Sequence, residues 1–124
     1  MIARYGLRTL ALIAIVAVGL QFARAEGQPG TVKGYVIDSS CAFTKGLSKP
    51  ISSECAVACA KAGSQLVILT SAGAIYWPIS DATPAVGQNA RLMEFAGKMV
   101  VVKGKVYQRS GSRAIVISSV DAAK

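Results

Sequence analysis

Residues 98–107 sort by parity. Val100, Val102, Gly104 and Val106 fall in one set, and Val101, Lys103, Lys105 and Tyr107 in the other. A helix would scatter both sets around its circumference, whereas a strand sends alternate residues to opposite faces. The stretch therefore predicts a long strand with one apolar face turned to a core. Residues 31–38 repeat the pattern, with Val32, Gly34 and Val36 against Lys33, Tyr35 and Ile37. Each pattern carries a glycine on its apolar side, at positions 34 and 104. Glycine inside a strand marks a sharp bend or the close approach of another backbone, so the sheet is expected to curl.

The rest of the chain supplies three more strands and two helices. Residues 65–70 and 74–80 are apolar runs joined by Ser71-Ala72-Gly73, which predicts a hairpin with Ile75, Trp77 and Ile79 pointing inward. Residues 108–112 turn the chain into a last strand over 113–120. Residues 42–51 hold Gly46 and Pro50 without periodicity, which predicts a loop. Ser52 or Ser53 caps a helix over 54–62, in which Cys55, Ala58, Cys59 and Ala62 share one face expected to pack on the sheet, and Gly63 stops it. After a loop at 81–87, Asn89 is placed to cap a short helix to residue 96, with Leu92, Phe95 and Ala96 as its apolar stripe. The fold class is mainly β with two short helices. Five strands with a helix between the third and fourth is the order of the five-stranded oligonucleotide/oligosaccharide-binding (OB) barrel, and closure leaves no exposed strand edge. An open α+β sandwich uses the same order and is the alternative.

Residues 1–25 stand apart from this pattern. Arg4 and Arg8 precede an apolar run over 9–20, and Ala23-Arg24-Ala25 places small residues where a signal peptidase reads. Cleavage is expected before Glu26. The run is about 12 residues long, short of the roughly 20 a membrane-crossing helix needs, so membrane attachment requires that the leader be retained. The expected organisation is a signal peptide at 1–25, a flexible lead-in at 26–30 and a single OB-like domain at 31–121, periplasmic or secreted. Losing Arg4, Arg8 and Arg24 leaves eleven basic against six acidic residues, a net charge of +5. That charge favours anionic partners, whether a glycan, a lipid head group or an envelope protein. Export removes the chain from cellular nucleic acid, which is therefore not an expected partner.

The segments Gly34-Tyr35-Val36-Ile37-Asp38-Ser39-Ser40-Cys41, Glu54-Cys55, Cys59-Ala60-Lys61-Ala62-Gly63 and Phe95-Ala96-Gly97-Lys98 leading into residues 102–106 form a GYVxDxxC...C...C pattern. This resembles a group of small exported bacterial proteins of unknown function, OB-like in the same strand order, and the resemblance covers most of residues 31–120. It implies a fold and an address, and no activity. Many members of that group carry a histidine near the first cysteine, whereas this chain has no histidine at all.

The missing histidine excludes Ser-His and Cys-His nucleophile pairs, CxxCH haem attachment and every imidazole-bearing zinc site. No CxxC, GxxxxGK or GxGxxG motif is present. No catalytic set is therefore assigned. Three cysteines remain. In an exported chain thiols within reach pair, and bridging Cys55 to Cys59 along a helix would strain disulfide geometry. The expected bond joins Cys41 to Cys59, with Cys55 as the alternative partner; closing a loop of about 18 residues stabilises by roughly 3 kcal/mol. Two other readings stay open. Cys41, Cys55 and Cys59, with Asp38 nearby, converge on Cu(I) or another soft metal in a metal-binding or thiol-redox protein, or the cysteines are merely small apolar packing groups.

The outward side of the strands carries Lys33, Tyr35, Tyr76, Lys103, Lys105 and Tyr107, with Arg109 and Arg113 close by. Aromatic groups interleaved with cations suit an anionic chain, although an ordinary hydrated barrel exterior has similar residues. The expected function is an exported binding or accessory module for an anionic ligand, envelope component or partner protein.

Overall fold

The structure, a computed structural model, describes residues 26–124. The leader assigned to 1–25 lies outside the described residues. Five strands, β1 (Gln28–Asp38), β2 (Leu66–Leu69), β3 (Ile75–Ile79), β4 (Met99–Arg109) and β5 (Ser112–Ala122), form a closed barrel in the order β1-β2-β3-β5-β4. The β3–β5 pairing is parallel and the other four are antiparallel. This closed mixed barrel is consistent with an OB-like fold, and the open sandwich is not formed. The helices are α1 (Ser39–Thr44), α2 (Ser53–Lys61) and α3 (Asn89–Leu92), the last continued by a 3₁₀ turn over Met93–Phe95. Among the described residues no helix is long and apolar enough to cross a membrane.

The predicted parity holds in β1 and β4. Val32, Val36, Val100 and Val102 meet Leu66, Ile68, Ile115 and Ile117 inside the barrel, and Leu92 from α3 plugs its end. Removing this apolar surface from water is the main favourable contribution to folding. Both strand glycines meet a neighbouring backbone: a Cβ at Gly34 would collide with the Leu69 carbonyl, and one at Gly104 with the Val116 carbonyl. The β4–β5 register shifts between Lys103 and Gly104, a bulge at the point of closest approach.

A second apolar cluster lies outside the barrel. Ile37, Ala42, Val67 and Leu69 are buried there, with Cys41, Ile51, Ile75 and Trp77 packed against them. It exists because residues 39–44 are helical, whereas a loop was expected over 42–51. The Asp38 carboxylate accepts from the Cys41 N–H at 3.2 Å and caps α1. With α1 over one face and the barrel core on the other, all four residues of β2 are buried, which is why that strand reads as an unbroken apolar run.

Four expectations need correction. Gln28 to Gly30, expected in a flexible lead-in, pair with Val106 to Gly104 as the start of β1, and the barrel runs on to Ala122. The buried residues of α2 are Ala56 and Ala60, while Cys55 is exposed and Cys59 half-buried; a helix so rich in small residues carries no clear stripe. In β3 the parity is inverted. Ile68, an inward residue, pairs with Tyr76, so Tyr76 and Pro78 face the barrel and Ile75, Trp77 and Ile79 face out. Asn89 is no cap: its side chain accepts from the Leu66 N–H at 2.8 Å and donates to the Ser64 carbonyl at 2.8 Å, tying α3 to the start of β2. The cap expected at Ser52 is present, accepting from the Cys55 N–H.

Replacing Gly104 by Ala forces a methyl group into the Val116 carbonyl and should lower stability by about 3 kcal/mol, the upper end of overpacking costs, read as a fall in the denaturant midpoint. Asn89→Ala strands two part-buried backbone groups and should cost about 1–3 kcal/mol in the same assay.

Candidate functional site

Two places on the surface gather chemistry. The first is the outer face of β3, β5 and β4. Register places Trp77 beside Ala114 and Ala114 beside Tyr107, so the three lie in one row across the sheet. Two interstrand spacings of about 4.8 Å separate the strands of Trp77 and Tyr107, with only the methyl group of Ala114 between them. The next row holds Ile79, Val116 and Lys105, and on the other side Ser112 lies against Arg109. The result is a groove of about 330 Å³ that follows β5, lined by Trp77, Ile79, Tyr107, Arg109, Ser112, Arg113 and Ala114. Its floor is made of small residues. One wall is apolar; the other alternates Lys105, Tyr107 and Arg109 at the two-residue spacing of about 7 Å. Phe43 of α1, 68% exposed, extends the aromatic wall, its ring 6.3 Å from that of Trp77 and inclined by 38°.

Of the eight surface residues singled out from the sequence, Tyr107, Arg109 and Arg113 line this groove, and Lys105 stands at its edge, opposite Val116. Lys103 stands one row beyond it. Lys33 and Tyr35 sit on β1 against Val101 and Met99, toward the other end of β4. Tyr76 is half-buried against the barrel core and lies outside this groove. Trp77, Ile79 and Phe43 were missed, the first two because β3 is apolar at every position and gives no parity signal, the last because α1 was not foreseen.

The second place is the corner where β1 enters α1. Asp38 is 1% exposed. One carboxylate oxygen accepts from the Cys41 N–H and from the Ser64 hydroxyl at 3.4 Å, and the other, Oδ1, is buried without a partner. Beside it opens a cavity of about 130 Å³ whose lining includes Asp38, Cys41, Lys45, Lys49 and Cys55. Burial pushes the Cys41 thiol above its usual range, and hydrogen bonding to Asp38 adds to the rise. Burial raises Cys59 as well, reinforced by the Asp38 charge and by contact with Cys55, while Lys45 opposes the rise at both thiols.

All three cysteines are free. The bond expected between Cys41 and Cys59 is not formed, nor is one from Cys55: the i, i+4 spacing holds Cys55 and Cys59 side by side on α2, and Cys41 is fixed on a separate helix by its Asp38 cap. Among the described residues no three His, Cys, Asp or Glu side chains are already gathered as a metal site.

Raised thiols carry little thiolate at neutral pH, and the thiolate is the reactive form. Alkylation of the reduced protein at neutral pH should therefore label exposed Cys55 first, with Cys41 and Cys59 following only as the pH rises; peptide mass mapping over time reads the order. The chain matches no protein-family model, and comparison with curated proteins and with solved structures gives no match for it.

Proposed function

We propose that this chain is an exported binding module that takes an anionic chain, an acidic glycan of the cell envelope, in the groove along β5. The observation that carries the reading is the row Trp77-Ala114-Tyr107 with Lys105 and Arg109 on the Tyr107 wall. Sugar rings present flat apolar faces that stack on aromatic side chains, and their carboxylate or sulfate groups meet the cations alongside. A small-residue floor admits the ring, and fixed strands spare the site much of the entropy of ordering on binding. The leader pattern at 1–25 and the basic mature charge support export and an anionic partner.

The chain has a single tryptophan, and it lies in the groove. Titration with a polyuronate at low salt should change the Trp77 emission and saturate. Tyr107→Ala should weaken binding by about 1–3 kcal/mol, the range for loss of one stacking partner. Arg109→Glu should weaken binding and flatten its salt dependence, whereas Lys33→Glu, on β1 opposite Val101 near the other end of β4, should leave both nearly unchanged. Equal weakening by Lys33→Glu and Arg109→Glu would mean nonspecific attraction to net charge and would dismiss the groove.

A further inference from the structure

The corner at Asp38 is independent of the groove and asks for a positive charge. A buried carboxylate oxygen with no hydrogen-bond partner is costly, and here that oxygen belongs to a side chain 1% exposed beside a small cavity shared with two cysteines. The donors nearby are sulfur. Cys55 and Cys59 stand four residues apart on α2, one helical turn from each other, and Cys41 and Cys55 both line the cavity beside Asp38.

This donor set selects among cations. Calcium and magnesium need six or more oxygen ligands, and Asp38 alone provides a carboxylate. Structural zinc takes four ligands in a tetrahedron, and three thiols without imidazole leave it short. Cu(I) is soft, prefers thiolate, and is satisfied by two or three sulfur ligands. Two neighbouring thiols suffice for it, so a preassembled set of three is not required. We propose that Cys55 and Cys59 bind one Cu(I) between them at the surface of α2, with the Asp38 carboxylate lending negative charge from behind.

The binding step balances simply. Each thiol that becomes a ligand releases one proton to solvent, Cu(I) keeps its oxidation state, and no oxidant or reductant is consumed. Lys45 and Lys49 line the same cavity and oppose the cation, so Asp38 has a defined part in offsetting them. Cys55 is exposed, which gives the ion an entrance and a donor to exchange from.

The test is anaerobic titration of the reduced full chain with Cu(I) against a chromophoric Cu(I) chelator, with native mass spectrometry for stoichiometry. The expected result is one Cu(I) per chain. Changing outer-shell groups alone costs 10–100-fold in metal affinity, so Cys55→Ser and Cys59→Ser should each weaken uptake by about a hundredfold or more, and Asp38→Asn by about tenfold. Cys55 is exposed and its replacement leaves the core untouched, so its variant stays informative even if Asp38→Asn fails to fold. Failure to compete with the chelator, undiminished uptake by Cys55→Ser, or equal affinity for Zn(II) would overturn the proposal. So would protein recovered under non-reducing conditions with a cysteine disulfide and, once reduced, no uptake of Cu(I).

Discussion

At two points in this barrel backbone lies against backbone with no room for a side chain, at Gly34 under the Leu69 carbonyl and at Gly104 under that of Val116. Strand β1 has to serve two neighbours. Its residues from Gln28 to Tyr35 pair with β4 and those from Tyr35 to Asp38 pair with β2, so Tyr35 is shared and the changeover falls beside Gly34. Strand β4 makes its matching irregularity at Lys103/Gly104. A ring of only five strands needs such strong local curvature.

The long connection between β1 and β2 also decides where a ligand can sit. Ligands of OB barrels use the outer face of strands 2 and 3 and the loops beside it. Here α1 lies over that face, sealing Val67 and Leu69 beneath Ala42 and Ile51. The accessible aromatic surface is therefore displaced by one strand, onto the sheet around β5, with Trp77 at the boundary: it packs against the outer cluster and also lines the groove.

Where polarity alternates, the sequence was enough to place faces. Lys103, Lys105 and Tyr107 point outward because Val100, Val102 and Val106 cannot. In β3, by contrast, Ile75-Tyr76-Trp77-Pro78-Ile79 offers apolar groups to both sides, and its parity is settled by its pairing with β2, a tertiary fact. The same holds for α2, where small residues surround the axis and only the fold selects Ala56 and Ala60 for burial. Helix α1 hid for another reason: six residues are too few for a periodic signal, and its cap, Asp38, had been read only as the end of a strand. The thiol corner was half legible. Asp38, Cys41 and Cys55 line one cavity, but the three cysteines do not come together with it, and the absence of a bond among them follows from two separately anchored helices.

The parallel pairing of β3 with β5 has a consequence in time. Both β3 and β4 lean on β5, the last strand to be made, and β1 completes its side of the ring only through β4. No N-terminal portion of the chain can close the barrel in advance, so a chain that emerges from its N-terminus keeps its core strands open until Ser112–Ala122 arrives. Such a chain has an open ring for as long as it is incomplete.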